Sequence, residues 1–506
     1  MHLDCTVHKS RSFLSCVLVI EGVPVDGSTR VRPGALVGVL AFAGIVAALM
    51  QTLVVPLIAQ FPELLDTTAS NATWIVTATL LCGAVAMPVT GRLGDMYGKK
   101  RVLLACTVPL VVGSVLCALA SSLLPMIVGR GLQGLGMGII PLGISALREL
   151  LPPEKLGTAI AMMSSSMGIG GALGLPVAAA VAENASWRAL FWGTAALCVV
   201  IALLVQFVVP STPTATERAR FDAVGAVGLG VALVCFLLAV SKGGDWGWAS
   251  PTIVGLFVAT VVVLGLWGWY ELRRTDPLVD LRVTARRQVL LTNIASIVVG
   301  FSMYAQSLIV PQLLQLPEGT GYGLGQSMLA MGLWMAPGGI MMMAVSPLGA
   351  KLSALRGPKT TLLLGSLIIA AGYASSMVLM GSAIGLVVVV CVCSIGVGFA
   401  YGAMPALIMG AVPMSETGAA NSFNSLMRSI GTSVSAAVVG LVLSQMSIDF
   451  AGHTLPSENG FRTGMLIGCG VALVAAAVTA AIPHARSVPL HSHTSPAPRP
   501  KADATV

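Results

Sequence analysis

The sequence contains few charged residues for its length. Only 9% of its 506 residues are Asp, Glu, Lys or Arg, whereas an ordinary soluble domain carries about 25%. Hydrophobic residues make up 56% of the chain, which is more apolar surface than a soluble protein of this size can bury in its cores. The composition therefore excludes a soluble protein and predicts one that lipid solvates.

The patterns typical of metal, cofactor and nucleic-acid sites are also missing. All six His are terminal or in loops, and most of the ten Cys stand singly within apolar stretches. The C-x-C at Cys391 and Cys393 fits no common zinc spacing. The net charge of +8 comes from short segments between apolar runs, with no basic face interleaved with aromatics. We therefore predict no metal, no cofactor and no nucleic-acid partner.

Neither end of the chain contains a span. In residues 1–34 the apolar run Phe13–Ile20 is too short to cross a bilayer, and no small-x-small cleavage site of a signal peptide follows it. We interpret this segment as a cytoplasmic N-terminal tail, or as an extension that arises from the choice of start codon. Residues 483–506 are rich in Pro, Ser and His, and predict a disordered cytoplasmic C-terminal tail.

Long apolar runs fill the remainder of the chain. A membrane-spanning helix needs about 20 mostly apolar residues, and fourteen stretches meet that requirement. They lie near 35–58, 71–90, 102–122, 124–147, 157–181, 188–210, 223–241, 251–270, 288–312, 325–347, 361–380, 383–411, 418–446 and 461–482. The sequence thus predicts an all-α polytopic membrane protein with 14 transmembrane helices.

The placement of Lys and Arg agrees with this number of spans. If both termini are cytoplasmic, nearly all of the 28 basic residues lie in the cytoplasmic segments. Only Arg188, Lys242 and Arg462 fall on the other side, and Arg130 and Arg428 lie within spans. Because basic residues favour the cytoplasmic side of a membrane, we predict a multi-pass protein of the inner (cytoplasmic) membrane with both termini in the cytoplasm.

A glycine-rich basic motif follows the second span. It reads G-x-L-x-D-x-x-G-K-K, and the residues that define it are Gly91, Leu93, Asp95, Gly98, Lys99 and Lys100. We interpret it as a tight turn between two antiparallel helices, in which the glycines allow close backbone approach. The lone acid can accept hydrogen bonds from free N–H groups at a helix N-terminus. The alternative is a basic cytoplasmic loop with an incidental acid.

This motif resembles the signature of the major facilitator superfamily, which lies between helices two and three. The sequence departs from it at Met96, where the family usually has a basic residue. A degraded second copy occupies Leu352–Lys359, with Ala354 in the place of Asp95. The resemblance implies a major facilitator fold of two related six-helix halves, and it implies a gating or coupling role for the residues of the motif.

An arginine lies inside the fourth span, in the pattern R-x-x-Q-G that Arg130 and Gln133 begin. An ionisable residue at this depth is costly and indicates function, although snorkelling to an interface is an alternative. In the superfamily that this pattern resembles, the arginine supports proton coupling. Arg428 also enters a span, and there we favour packing or snorkelling.

The fifth span contains closely spaced small residues and a proline, at Gly170, Gly171, Gly174 and Pro176. Small residues at this spacing allow helices to pack closely. The stretch is similar to the antiporter motif of drug exporters in the superfamily, although the proline is displaced by one residue and alanines replace the final glycine pair. Ordinary helix packing is the alternative.

Fourteen spans resemble the drug:proton antiporter branch of the superfamily, the EmrB/QacA type. In that branch two helices are inserted between the halves. The implied organisation is a tail at 1–34, an N-terminal half at 35–210, inserted helices seven and eight with linkers at 211–287, a C-terminal half at 288–482 and a tail at 483–506.

One departure from the branch concerns the proton. Its first helix usually carries an acid in L-D-x-T, and Met50 stands at that position here. No Asp or Glu lies deep in a span, and Arg stays protonated. Either an acid near a span end carries the proton, or coupling is indirect, or the family inference about coupling fails. Asp95 and Asp222 are the candidates.

The superfamily plan places a substrate cavity between helices of the two halves. The polar residues predicted to line it are sparse, and the tenth span beside it is rich in Met. A mostly uncharged cavity suits hydrophobic, neutral or weakly charged compounds; the alternative is that these residues face lipid or packed helices. The predicted cavity residues are Gln51, Thr52, Tyr304, Gln306 and Trp334.

These observations predict a secondary active transporter, working as a monomer, that exports small hydrophobic drugs or antibiotics by alternating access in exchange for protons. The alternative is a dedicated transporter, for export or import, of a single metabolite. A membrane enzyme or a channel has no support, because the sequence shows no metal cluster, no nucleophile with a base and no filter-like repeat.

Overall fold

A computed structural model describes residues 33–58, 60–211, 220–450 and 453–483 of the chain. The predicted tails lie almost wholly outside these residues. Within the described part, fourteen helices are long and apolar enough to cross a membrane, so the predicted all-α fold is confirmed. The chain is therefore a multi-pass membrane protein.

The first seven of these helices cover the N-terminal part of the chain and the first inserted helix. They are α1 Pro33–Thr52, α2 Trp74–Tyr97, α3 Lys99–Leu119, α4 Leu123–Leu150, α5 Pro153–Asn184, α6 Arg188–Val208 and α7 Ala223–Trp246. A 3-10 turn at Gly136–Gly138 interrupts α4. Two short helices, Phe61–Leu64 and Ala69–Ala72, lie between α1 and α2.

The other seven helices follow in the same alternating manner. They are α8 Pro251–Glu271, α9 Arg287–Gln315, α10 Met328–Arg356, α11 Pro358–Leu379, α12 Ala383–Met409, α13 Thr417–Gln445 and α14 Glu458–Ala480. A short helix, Leu281–Thr284, precedes α9. Two antiparallel strands, β1 Ser447–Phe450 and β2 His453–Pro456, join α13 to α14, with Ser447 opposite Pro456.

The end of the first helix and the segment after α13 differ from the sequence prediction. The first helix ends at Thr52 instead of near residue 58, and Val55–Leu57 form a 3-10 turn. Pro56 explains the early end, because proline cannot donate the backbone N–H that a continuing α-helix needs. The hairpin of β1 and β2 was not predicted either, although Ile448 and Phe450 alternate with polar residues ahead of a glycine.

The basic motif comprises the end of α2, a one-residue turn and the start of α3. The second helix continues to Tyr97 and the third begins at Lys99, so Gly98 alone forms the connection. Its φ of 89° is a conformation that favours glycine. The tight turn predicted within residues 91–101 is therefore Gly98 alone, and a position such as Asp95 lies on a helix.

Two hydrophobic clusters form the cores of the N-terminal and C-terminal bundles. One includes Leu40, Leu103 and Ile144, and the other includes Val299, Leu386 and Phe461. The bundles meet where α5 packs against α10 and α2 against α13. The inserted helix α7 packs against α8 and also against α2 and α13, so it touches both bundles.

Several connections lie at one end of the bundles, which we call the basic end. It comprises the turns at Gly98 and 151–152 and the segments 272–286 and 410–416. Contacts join these connections directly: Lys99 pairs with Glu149, and Arg286 donates a hydrogen bond to the Ala411 carbonyl. This is the end that the basic residues predict to be cytoplasmic.

Candidate functional site at the basic end

Asp95 connects the two bundles at the basic end. Its carboxylate accepts hydrogen bonds from the backbone N–H groups of Gly418, at 2.9 Å, and Ala419, at 2.8 Å. Both donors belong to the first turn of α13, whose N–H groups lack partners within the helix. The negative charge also complements the positive end of the α13 dipole. The carboxylate of one bundle thereby caps a helix of the other.

Lys99 holds the Asp95 carboxylate in place. Lys99 Nζ lies 3.2 Å from Asp95 Oδ1 and also pairs with Glu149 at the end of α4. Lys99 and Asp95 are both buried, and a buried charge requires a partner. The three side chains and the α13 terminus form one network, which we call the lock.

Two glycines bring the backbones of α2 and α13 together around the lock. A Cβ atom at Gly91 would lie 2.5 Å from both the Gly418 carbonyl oxygen and Ser422 Oγ. A Cβ atom at Gly418 would lie 2.6 Å from Asp95 Oδ1. Any larger residue at either position therefore requires the helices to move apart.

The end of α4 supplies a second set of contacts between the bundles. Arg148 donates hydrogen bonds to the Val412 carbonyl, at 3.3 and 3.4 Å, and to Thr417 Oγ1 at 3.1 Å. Ser145 Oγ donates to the Thr417 carbonyl at 3.1 Å, and Asn421 Nδ2 donates to the Pro141 carbonyl at 2.8 Å. Sequence reasoning assigned Arg148 only to topology, because its partners lie in the opposite half of the chain.

The remaining residues of the motif serve their own bundle. Lys100 Nζ donates to the Gln206 carbonyl at the end of α6, at 2.7 Å, so the structure does not bring Lys100 to the lock. Leu93 packs against the N-terminal core. Gly98 forms the turn that places Lys99 beside Asp95.

Arg130 is buried in the middle of the N-terminal bundle. Its Nε donates to the Ile75 carbonyl at 3.2 Å, and Nη1 donates to the Met50 carbonyl at 3.0 Å and to Gln133 Oε1 at 2.6 Å. Gln133 Nε2 donates in turn to Ser114 Oγ at 2.9 Å. With only 1% of its surface exposed, Arg130 does not snorkel. In the described part of the chain it forms no ion pair with a carboxylate.

Arg428 packs within the C-terminal bundle. Its guanidinium lies 4.5 Å from the centre of the Tyr401 ring, a distance typical of a cation–π contact. Nη2 also donates to Ser425 Oγ at 3.3 Å. The side chain is buried, so packing, and not snorkelling, describes its position.

The small residues of α5 have separate neighbours. A Cβ atom at Gly170 or Gly174 would collide with α1, at Ala48 and Thr52 respectively, whereas one at Gly171 would meet no atom within 4 Å. The predicted packing role therefore does not hold at Gly171. Pro176 lies against Gly332 of α10, whose added Cβ would be 2.9 Å from the proline nitrogen, and so contributes to the seam between the bundles.

The predicted cavity residues make contacts within their own bundles. Gln51 Nε2 donates to Met137 Sδ at 3.3 Å, and Thr52 Oγ1 donates to the Leu49 carbonyl at 3.2 Å. Trp334 Nε1 donates to Gln326 Oε1 at 2.8 Å. Gln306 is buried in α9 and Tyr304 is partly buried there. These contacts do not bring the five residues to one site.

A pocket of about 340 Å³ lies beside the lock. Asp95 and Arg92 of α2 line one wall, and Glu416 and Phe423 of the α13 region line another. The segment after α8 completes it, and Asp276 of that segment lies 3.9 Å from Arg92. The inserted helices therefore reach the point at which the two bundles are joined.

Comparison with known proteins places these features in a family. The sequence matches the family model of the Major Facilitator Superfamily over residues 40–436. It is 32% identical over 309 residues to an uncharacterized MFS-type transporter of Mycobacterium tuberculosis, covering 61% of this chain but only 44% of that relative. It is 26% identical over 379 residues to multidrug resistance protein 3 of Bacillus subtilis, covering 73% and 72% of the two chains.

The fold agrees with solved structures as well. The crystal structure of the human organic anion transporter MFSD10 superposes with a TM-score of 0.63 at 15% identity, covering 88% of this chain and 99% of that one. At this identity the likeness concerns the fold alone.

Proposed function

Because the chain belongs to the Major Facilitator Superfamily, and is therefore a membrane transporter of small molecules, we propose that it exports hydrophobic drugs or antibiotics in exchange for protons. The substrate class is supported by the Bacillus subtilis relative, which is named a multidrug resistance protein. The fourteen-helix architecture is the one that the drug-exporter branch implies.

The proposal of alternating access rests on the lock. Asp95 belongs to one bundle and its two N–H donors to the other, so the contact forms when the basic end closes and breaks when the bundles part. Bundles that rock around a central site are how such transporters alternate. The structure corresponds to the state closed at the basic end, which we propose faces the cytoplasm.

Arg130 has a supporting role in this proposal. Since a guanidinium stays protonated, Arg130 does not itself carry the exchanged proton. It joins α4 to carbonyl groups of Met50 in α1 and Ile75 in α2. A change of charge or position in one of these helices is therefore transmitted to the other two, which supports a coupling role.

The remaining predictions form part of the same proposal. The protein works as a monomer in the cell membrane with both termini in the cytoplasm, and Gln51, Thr52, Tyr304, Gln306 and Trp334 come together around substrate in another state of the cycle. Apart from the rare polar groups, the substrate meets an apolar and Met-rich surface, which accommodates compounds of different shapes.

Transport by the purified protein in proteoliposomes tests the proposal. An imposed pH gradient should drive uptake of hydrophobic antibiotics, and Arg130→Ala should reduce the flux at least tenfold with normal insertion, because three helices lose their shared contact. Asn184→Ala, at an exposed side chain that bonds only within α5, is the matched control. Flux of a single metabolite alone would favour a dedicated transporter, and full activity of Arg130→Ala would remove its coupling role.

A further inference from the structure

Two acidic side chains are buried together where α7 begins and α8 ends. Asp222 is 4% exposed and Glu271 is 2% exposed. A Cβ atom built at Gly225, in the first turn of α7, would lie 2.6 Å from Glu271 Oε1 and closer still to Asp222 Oδ2. The two carboxyl oxygens therefore lie close to one point above the Gly225 Cα and within about 5 Å of each other.

Each carboxyl group has one oxygen with hydrogen-bond donors and one without. Asp222 Oδ1 accepts from Gly225 N at 2.9 Å and from Tyr270 Oη at 3.1 Å, while Glu271 Oε2 accepts from Leu278 N at 3.2 Å. The facing oxygens, Asp222 Oδ2 and Glu271 Oε1, are buried with no hydrogen-bond partner. The indole N–H of Trp267 and the backbone N–H of Val279 also approach the Glu271 carboxyl group.

Neither acid forms an ion pair with a cation in the described part of the chain. The described residues are 33–58, 60–211, 220–450 and 453–483, and the nearest cation along the chain of contacts is Arg274, which reaches Asp222 only through the Tyr270 hydroxyl. The other charged groups on the surrounding elements are Arg220, two residues before Asp222; Arg273, which stacks on Trp269; Arg274, which donates to the Tyr270 hydroxyl; Arg282, which donates to the Leu272 carbonyl; Arg286, which donates to the Ala411 carbonyl; Arg92 and Asp276, which face each other; Asp280, which caps the short helix Leu281–Thr284; and Glu416, before α13. Two ionised carboxylates here would repel each other with little water to screen them.

We propose that Asp222 and Glu271 form a proton-binding site, in which one proton is shared between Asp222 Oδ2 and Glu271 Oε1. A single proton removes one of the two facing charges and supplies the hydrogen bond that both oxygens lack. The site lies in the inserted helices, outside the six-helix halves. It supplies a titratable acid near the span ends, where the sequence places the acids that could carry the exchanged proton.

The site is connected to the lock through the segment after α8. Glu271 holds the backbone of Leu278, and Leu278 and Val279 pack with Ala84 of α2 and Leu426 of α13. The same segment lines the pocket that contains Asp95. Loss of the proton makes the two carboxylates repel, which displaces this segment and loosens the packing of α2 against α13. Protonation therefore favours the closed lock.

Infrared spectroscopy of the purified full chain in lipid, titrated with pH, tests the site without any measurement of transport. The wild type should show the C=O band of a protonated carboxyl group above the pH range in which ordinary Asp and Glu ionise. The band should be absent in Asp222→Asn and in Glu271→Gln, since each variant removes one half of the pair. It should persist in Glu458→Gln, a matched control whose exposed carboxylate pairs with Arg462.

Both substitutions are chosen to preserve the fold. Asn caps a helix as well as Asp, and the Gln carbonyl still accepts from Leu278 N. A wild type without the band, or a band that survives unchanged in both variants, would overturn the proton site. The absence of the band from the wild type decides this even if a variant misfolds.

The role of the site in transport rests on the proposed proton exchange, whereas proton binding does not. One outcome is a band that behaves as expected and a drug flux that does not depend on the pH gradient. That result would support the proton site and reject proton exchange. Flux that follows the gradient in both single variants as in the wild type would reject the site as the coupling element.

Discussion

The junction of α2 with α3 and the junction of α10 with α11 have the same backbone but different side chains. Each is a single glycine between two long helices, Gly98 with φ of 89° and Gly357 with φ of 82°. Each is followed by a lysine that donates to a carbonyl at the end of the last helix of its bundle. Lys100 bonds Gln206 at 2.7 Å, and Lys359 bonds Ala480 at 2.9 Å.

The difference lies in the residues that form the lock. Asp95 and Lys99 of the first junction are buried in the lock, whereas the corresponding residues of the second are Ala354, which is exposed, and Pro358. The turn and its following lysine thus belong to the fold that both halves share. The acid and the first lysine belong to a contact that only one half makes.

Replacement of the acid should have the largest effect. In Asp95→Asn the α13 terminus loses charge-assisted hydrogen bonds, each contributing about 1.5–3 kcal/mol, and Lys99 keeps only Glu149. A loss of about 2 kcal/mol shifts the ratio of closed to open states roughly thirtyfold toward open. Flux in the proteoliposome assay should fall at least tenfold. A cysteine that replaces the buried Ser422 should react faster with a maleimide in the Asp95→Asn protein than in a protein that retains Asp95.

Transfer of the acid to the second junction provides the control. Since Ala354 is exposed, the double variant Asp95→Asn with Ala354→Asp should remain as inactive as the single variant. Unchanged flux and unchanged labelling in Asp95→Asn would show that the lock does not control the basic end.

A methyl group between the bundles should have a smaller effect. In Gly91→Ala the new Cβ would lie 2.5 Å from the Gly418 carbonyl and Ser422 Oγ, so α2 and α13 must separate, at a cost of about 1–3 kcal/mol. We expect flux to fall about fivefold, measured in the same proteoliposomes. The second junction carries Ala350 at the matching position, and Ala350→Gly should leave flux unchanged. Equal effects of the two substitutions would remove the distinction between the junctions.

The features that depend on solvation by lipid, such as the number of helices, could be predicted from the sequence. Fourteen apolar runs and the one-sided basic residues were sufficient for the number of helices, because each helix must satisfy its own backbone in hydrocarbon. The motif around Asp95 and the buried arginine of α4 were also visible, since charge is rare in such a chain.

The partners of these residues were not predictable from one sequence. Asp95 binds a helix terminus more than 300 residues further along the chain, and nothing local to either segment indicates that pairing. Glu271 was overlooked because it ends a span, where an acid carries no hydropathy signal. Only the tertiary packing of α7 on α8 shows that it faces Asp222.

The two lysines after the glycine turns should show the smallest effect, and an equal one. Lys100→Gln and Lys359→Gln each remove a partly exposed hydrogen bond to a helix-end carbonyl, which contributes about 1 kcal/mol or less. We expect a slight and similar loss of thermal stability in detergent and flux within twofold of the wild type. Lys99→Gln should differ from both, because it leaves the Asp95 and Glu149 carboxylates facing each other in a buried network. If Lys100→Gln abolished flux while Lys359→Gln did not, Lys100 would act in the lock by a contact that forms in another state. Lys100 would then be a functional residue and not only part of the fold that both halves share.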